Sequence, residues 1–222
     1  MTTLRPSKAP NLPAAAQNYN PLTVEQINNA LRIYFNEVDN LNAALLTATG
    51  GGYLGLPHVA ASDSTDQYAD GNDTPTIVKW NTLDSGNGFT LNANNTATAL
   101  VSGIYKIDYS LQLANTSNTA DDVIVWLQVE GVDVANSASR FTMPARKSSG
   151  TPSYIVAYSS IVFQLLEGQS VGLWWATPLA YNPVGPVDGV YILHDPAQTS
   201  PYAHPAIPSA IGSITFVSRI NP

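Results

Sequence analysis

Apolar residues recur along this chain at two different spacings, and the change from one to the other divides it. From Val24 they fall at steps of three and four without a miss, through Ile27, Leu31, Tyr34, Val38 and Leu41 to Leu45. Alternating steps of three and four keep one narrow stripe on one side of a helix, which is the seam of a coiled coil. Thr23 is placed to cap that helix, Gln26 stands three residues on at the capping-box position, and Leu22 can staple against Ile27. Gly50, Gly51 and Gly52 stop it, so the pattern predicts a helix over 23–49. Five asparagines (Asn28, Asn29, Asn36, Asn40, Asn42) are mediocre helix formers, so the helix needs a neighbour. That neighbour is either the chain's own later domain or the same helix in sister copies, and the narrow, strictly alternating stripe favours sister copies. Ile33 and Phe35 lie off the seam and are candidates for anchoring a different partner.

Further on the period is two. Tyr105, Ile107, Tyr109, Leu111 and Leu113 alternate with Lys106, Asp108, Ser110 and Gln112, the mark of a strand with one buried and one wet face. Val123, Val125, Leu127 and Val129 form the next strand, and Glu130-Gly131 turns it into Val132 and Val134. Further strands are expected at Ile77 to Thr82, Phe89 to Leu91, before Gly103, and at Ala138 to Met143. Others follow at Tyr154 to Leu166, Ser170 to Ala176, Gly189 to Leu193 and Ile211 to Ile220. Some eight to ten short strands with no helix between them predict a mainly β chain, an antiparallel sandwich or jelly roll over 77–222. Residues 1–22, with Pro6, Pro10, Pro13 and Pro21, read as an extended arm, and 50–76 as a linker. The acids of that linker and Asp121-Asp122 read as solvated loops; the linker's spacing does not fit an EF-hand.

Charge narrows the partners. Nine Lys and Arg against 16 Asp and Glu give −7 over 222 residues, with no basic run, which argues against nucleic acid. Only 11% of residues are charged, against an ordinary quarter or so, so the surface relies on neutral hydrogen-bonding groups or is buried against partners. The absence of cysteine excludes disulfides, thiolate metal sites and cysteine nucleophiles. No apolar run reaches the length of about 18 residues that a membrane span needs, and Met1 to Ala16 has no signal-type core, so a soluble chain without a secretory leader is expected.

Catalytic chemistry is sparse. His58, His194 and His204 are the only imidazoles, and adjacent residues such as His194 and Asp195 point to opposite sides of a strand, unlike a triad. No phosphate-binding glycine loop occurs, and neither catalytic residues, metal ligands nor a cofactor are expected. The aromatics carry more weight. Consecutive Trp174 and Trp175 must face opposite sides of a sheet, so one fills the core and the other is exposed or at an interface. Together with Tyr181 and Tyr202 they are candidate contacts of the head, either with its own copies or with a sugar, whose apolar face stacks on aromatic rings. Tyr154, Tyr158 and Tyr191 suit either purpose.

Gly103-Ile104-Tyr105-Lys106-Ile107-Asp108-Tyr109 resembles a strand of the tumour necrosis factor-like jelly rolls, including complement-type globular heads, and Trp80-Asn81 and Gly88-Phe89 precede it in the order of that family. Trp126 to Val132 resembles the family's strand-turn-strand, with Glu130 where it has Asn, and Val162 to Val171 resembles another of its strand pairs. The proline-rich opening, the run Leu31 to Asn36 with Asp39-Asn40, and the closing Ala203 to Ser209 are similar to structural proteins of tailed bacteriophages: fibres, head decorations and tail appendages. The two resemblances imply a homotrimer in a virion, with a stalk of three helices and a knob of three jelly rolls meeting other capsid or tail proteins, and a host-surface glycan as a further partner. A glycan-binding trimer without a structural role and a polysaccharide depolymerase are the alternatives.

Overall fold

The structure, a computed structural model, describes Pro10 and residues 21–46, 55–184, 188–200 and 202–220, with helix side chains described as far as residue 42. It divides between Leu56 and Pro57 into two units. The first contains helix α1, Pro21–Leu46. It starts ahead of Thr23, the expected cap, on a proline whose fixed φ and missing N–H suit the first helical position. None of its described side chains is buried. The expected glycine stop and nearly all of the arm lie outside the described residues.

The second unit is an antiparallel sandwich. Its strands are β1 (His58–Asp63), β2 (Thr76–Ile77), β3 (Thr82–Asn87), β4 (Phe89–Leu91), β5 (Ala97–Ala99), β6 (Gly103–Asn115) and β7 (Asp121–Val129). They continue with β8 (Val132–Asp133), β9 (Ser139–Met143), β10 (Ser153–Leu165), β11 (Ser170–Ala176), β12 (Val190–Ile192) and β13 (Ala210–Ser218). One sheet runs β10-β6-β13-β1-β3 with β12 also on β6; the other runs β4-β5-β11-β7-β8, with β2 on β11 and β9 on β7. The long strands change sheets as the chain proceeds, β6 and β10 in the first, β7 and β11 in the second, which is how a jelly roll winds.

Alternation explains the core. Tyr105, Ile107, Tyr109, Leu111 and Leu113 of β6 point inward and are nearly or fully buried. They meet Val123, Val125 and Leu127 of β7 and Val171, Leu173 and Trp175 of β11. The Tyr105 ring packs edge-on against Phe89 and Phe216, and its hydroxyl donates to the Val101 carbonyl at 2.7 Å. At the β7–β8 turn, Glu130 and Gly131 both have positive φ, as a two-residue hairpin turn requires. Glu130 tolerates this where the resembled family has Asn, and its carboxylate accepts the Ser170 N–H.

Three expectations are corrected here. Much of the linker assigned to 50–76 belongs to the head: β1 lies between β13 and β3, and its inward residues are Val59, Ala61 and Asp63, too small or polar to show an apolar period. Asp63 is buried and accepts from the Thr65 N–H and hydroxyl at 2.8 and 2.5 Å. The strand expected over Ile77 to Thr82 is split between the two sheets. The buried amide of Gln67 grips Lys79 in the crossing, accepting its N–H at 2.7 Å and donating to its carbonyl at 3.1 Å. Asp121 and Asp122 open β7 instead of forming a solvated loop. Asp121 accepts from the Thr177 hydroxyl and the Leu179 N–H, while Asp122 pairs with Arg140 at 2.6 Å and accepts from Thr142.

Gly189 tests this packing, because a Cβ there would stand 2.6 Å from backbone atoms of Leu179, Ala180 and Tyr181. Gly189→Ala is expected to lower stability by about 1–3 kcal/mol, since a backbone cannot swing aside as a side chain can, and the denaturation midpoint measures it.

Candidate functional site

The outward face of the first sheet is more apolar than a wet face needs to be. Register places Val156, Tyr158, Ser160 and Val162 of β10 opposite Gln112, Ser110, Asp108 and Lys106 of β6, and Ile211, Ser213 and Thr215 of β13 flank β6 on its other side. Val156, Tyr158 and Val162 are 55%, 59% and 62% exposed, and Ile211 and Val217 are exposed beside them. The charges at the centre of this face satisfy each other. Lys106 bridges Asp108 at 2.9 Å and Tyr158 donates to the same carboxylate at 3.2 Å. Burial alone would raise the Asp108 pKa, yet hydrogen bonds from Lys106, Ser160 and Tyr158 outweigh it and hold the group below the usual carboxylate value.

At one end of this face aromatic rings gather. Tyr191 of β12 and Tyr154 of β10 are both register partners of Ala114 of β6, so they flank it from its two sides. Tyr191 also packs with Tyr68 and Tyr181, the three ring centroids lying 5.0–5.7 Å apart. Tyr68 is placed there because Gln67 exchanges both backbone hydrogen bonds with Ile192, and Tyr181 because its N–H bonds the Val190 carbonyl. The Tyr68 hydroxyl donates to Asp66 at 3.2 Å, and Asp66 accepts the His194 N–H at 2.8 Å. Burial first, and then the negative field of Asp66, pushes the Tyr191 pKa up to about 12.

A cleft of about 450 Å³ opens beside these rings, lined by Gln112, Leu113, Tyr154, Leu193, His194, Asp195, Pro196, Gln198 and Ile207. Its wall is a loop folded back on itself, Asp195 pairing with Ile207 and Gln198 with His204. Asp195 accepts from the Gln198 amide at 3.0 Å and stands 3.8 Å from His204 Nε2. His194 Nδ1 lies 2.9 Å from the Ile207 carbonyl. A carbonyl only accepts, so Nδ1 carries a proton, and in the neutral ring Nε2 is left as an acceptor. Lys147 Nζ sits 5.6 Å from the Tyr154 ring centroid.

The sequence-derived candidates do not converge. Trp175 is fully buried in the core and contacts nothing outside it, which corrects its assignment as a head contact. Trp174 lies on the outer face of the second sheet as register partner of Trp126, whose indole N–H donates to Asp133 at 2.7 Å. Tyr181 belongs to the tyrosine cluster and Tyr202 is 81% exposed. On α1, Ile27, Leu31, Tyr34, Val38 and Leu41 are half-buried, Val24 is 39% exposed, and the Leu45 side chain lies outside the described residues. Ile33 and Phe35 are 52% and 57% exposed, with the Phe35 ring edge-on to Tyr34. Sequence reasoning missed Tyr68, Asp66, Gln112 and Gln198, which distant loops and strands bring to one place. Among the described residues no three of His, Asp and Glu group as metal ligands would.

No family model matches the chain, and no curated protein matches it. Among solved structures it is similar to the globular domain of zebrafish complement 1qA protein, with 13% identity and a TM-score of 0.44, over 74% of this chain and 99% of that one. It is also similar to murine APRIL in a crystal structure at pH 5.0, with 16% identity and a TM-score of 0.44, over 72% of this chain and 99% of that one. The sheet order by itself gives the expected mainly β, two-sheet jelly roll, and the other unit holds one helix.

The tyrosine cluster has a measurable signature. A spectrophotometric titration is expected to show tyrosine ionisation extending up to about pH 12, and Tyr191→Phe is expected to lower the amplitude of that late part. The folded state holds this proton after the unfolded chain has lost it, so Tyr191's contribution to stability is complete below about pH 10 and is lost as pH rises towards 12.

Proposed function

We propose that this chain is a non-enzymatic structural protein that works as a homotrimer, with α1 forming a stalk and the jelly roll a displayed head. Helix α1 carries the reading. It is 26 residues long and bears a regular apolar stripe, yet none of its described side chains is buried. A helix of mediocre formers is marginal in water on its own, and pairing of the stripe with its copies supplies the missing burial. The first sheet supports the same reading from the other unit. Strand β10 is 13 residues long, stands at the end of its sheet, and carries apolar residues on its outward face. A long apolar edge is an aggregation hazard unless something covers it. The number three comes from the residue-level likeness of β6 and its neighbours to trimeric heads.

The setting proposed is the virion of a tailed bacteriophage. The proline-rich arm, Ile33 and Phe35 would there meet a capsid or tail protein, and the head would decorate, stabilise or contact the host. Low charge and neutral hydrogen-bonding residues suit a chain buried against such partners.

Light scattering on the full-length protein at micromolar concentration is expected to give about three times the chain mass of 23.6 kDa. Leu31→Asp in the stripe and Val162→Lys on β10 are each expected to shift the population towards single chains. A stable single chain before mutation overturns the reading, as does a trimer indifferent to both changes. Electron microscopy of phage particles labelled with an antibody to the head checks the setting, and particles that stay unlabelled overturn it.

A further inference from the structure

We propose that the cleft beside the tyrosine cluster binds a neutral saccharide. Its volume of about 450 Å³ falls in the usual range for small-ligand sites and has room for one or two sugar rings. The lining combines what a pyranose asks for. Tyr154, 51% exposed, supplies an aromatic ring for the apolar face of the sugar. Asp195 is an acceptor for hydroxyl hydrogens, Gln112 and Gln198 carry amides that both donate and accept, and His194 adds a ring nitrogen, Nε2, whose partner Nδ1 is held by the Ile207 carbonyl.

The groups are held in place before any ligand arrives. Gln198 fixes one oxygen of Asp195, the Ile207 carbonyl orients the His194 ring, and Asp66 ties the Tyr68 hydroxyl to the His194 backbone. Such preorganisation lowers the ordering cost of binding. Charge selects the class of ligand. No Lys or Arg lines the cleft itself; Lys147 stands beside it over the Tyr154 ring, but Asp195 in the wall and Asp66 next to it outnumber that one cation, so a sialylated or sulfated sugar would meet net repulsion and a neutral one would not.

The test is to probe the labelled full-length protein on an array of neutral hexose and N-acetylhexosamine glycans alongside sialylated and sulfated ones, then titrate the best binder. Saturable binding confined to neutral glycans is expected, weakened at least tenfold by Asp195→Asn and by Tyr154→Ala in variants whose circular dichroism is unchanged. The inference is overturned by no saturable binding, by preference for anionic glycans, or by binding that survives both changes and disappears with Trp174→Ala, which would move the site to the other sheet. A trimer that binds no glycan overturns this inference alone and leaves the assembly reading standing.

Discussion

Strand β6 holds the head together through its alternation. Its odd-numbered side chains from Tyr105 to Leu113 are buried, while its backbone pairs with β10 along its whole length on one side and with β13 and β12 on the other. A shift of one residue in its register would send five large side chains into water and bring Lys106 and Asp108 into the core. The hydrophobic effect and the backbone ladder therefore select the same register, and every strand of the first sheet takes its position from that choice. The outward row from Ile104 to Gln112 follows from it, and so does the place where Tyr154 and Tyr191 come to flank Ala114.

The two ends of that outward face differ in chemistry. From Val156 to Val162 the edge strand presents apolar side chains beside a lysine and an aspartate already satisfied by each other. Near Gln112 the sheet is adjoined by loops whose carboxylates, amides and imidazole are held by hydrogen bonds around a cleft. One sheet thus has an apolar middle and a polar, ring-lined end.

Much of the sandwich was legible in the sequence because its long strands are amphipathic. The periods of β6 and β7 and the glycine-containing turns mark strand ends that the structure reproduces to within a few residues. Strand β1 was hidden, since alanine, serine and aspartate on its two faces give no apolar rhythm. The break between β2 and β3 was hidden too, because what splits that run is the amide of Gln67 gripping Lys79 from 12 residues away. The cleft was illegible for a related reason: Gln112, Tyr154 and Asp195 are remote in sequence and come to one place only through the tertiary fold.

What the sequence determined by itself was periodicity: a helical stripe with a coiled-coil rhythm, a chain of short strands, and a pair of adjacent tryptophans of which only one could be buried. These properties depend on neighbours within a few residues, where backbone geometry decides which way each side chain points. The tertiary structure alone decided that Trp175 is the buried one, that Trp174 lies on the second sheet while Tyr181 joins Tyr68 and Tyr191, and that Asp63 is a buried staple. Those outcomes depend on which strands pair and in what register, a choice made by summed burial across the whole sandwich, to which any short segment contributes only a small part.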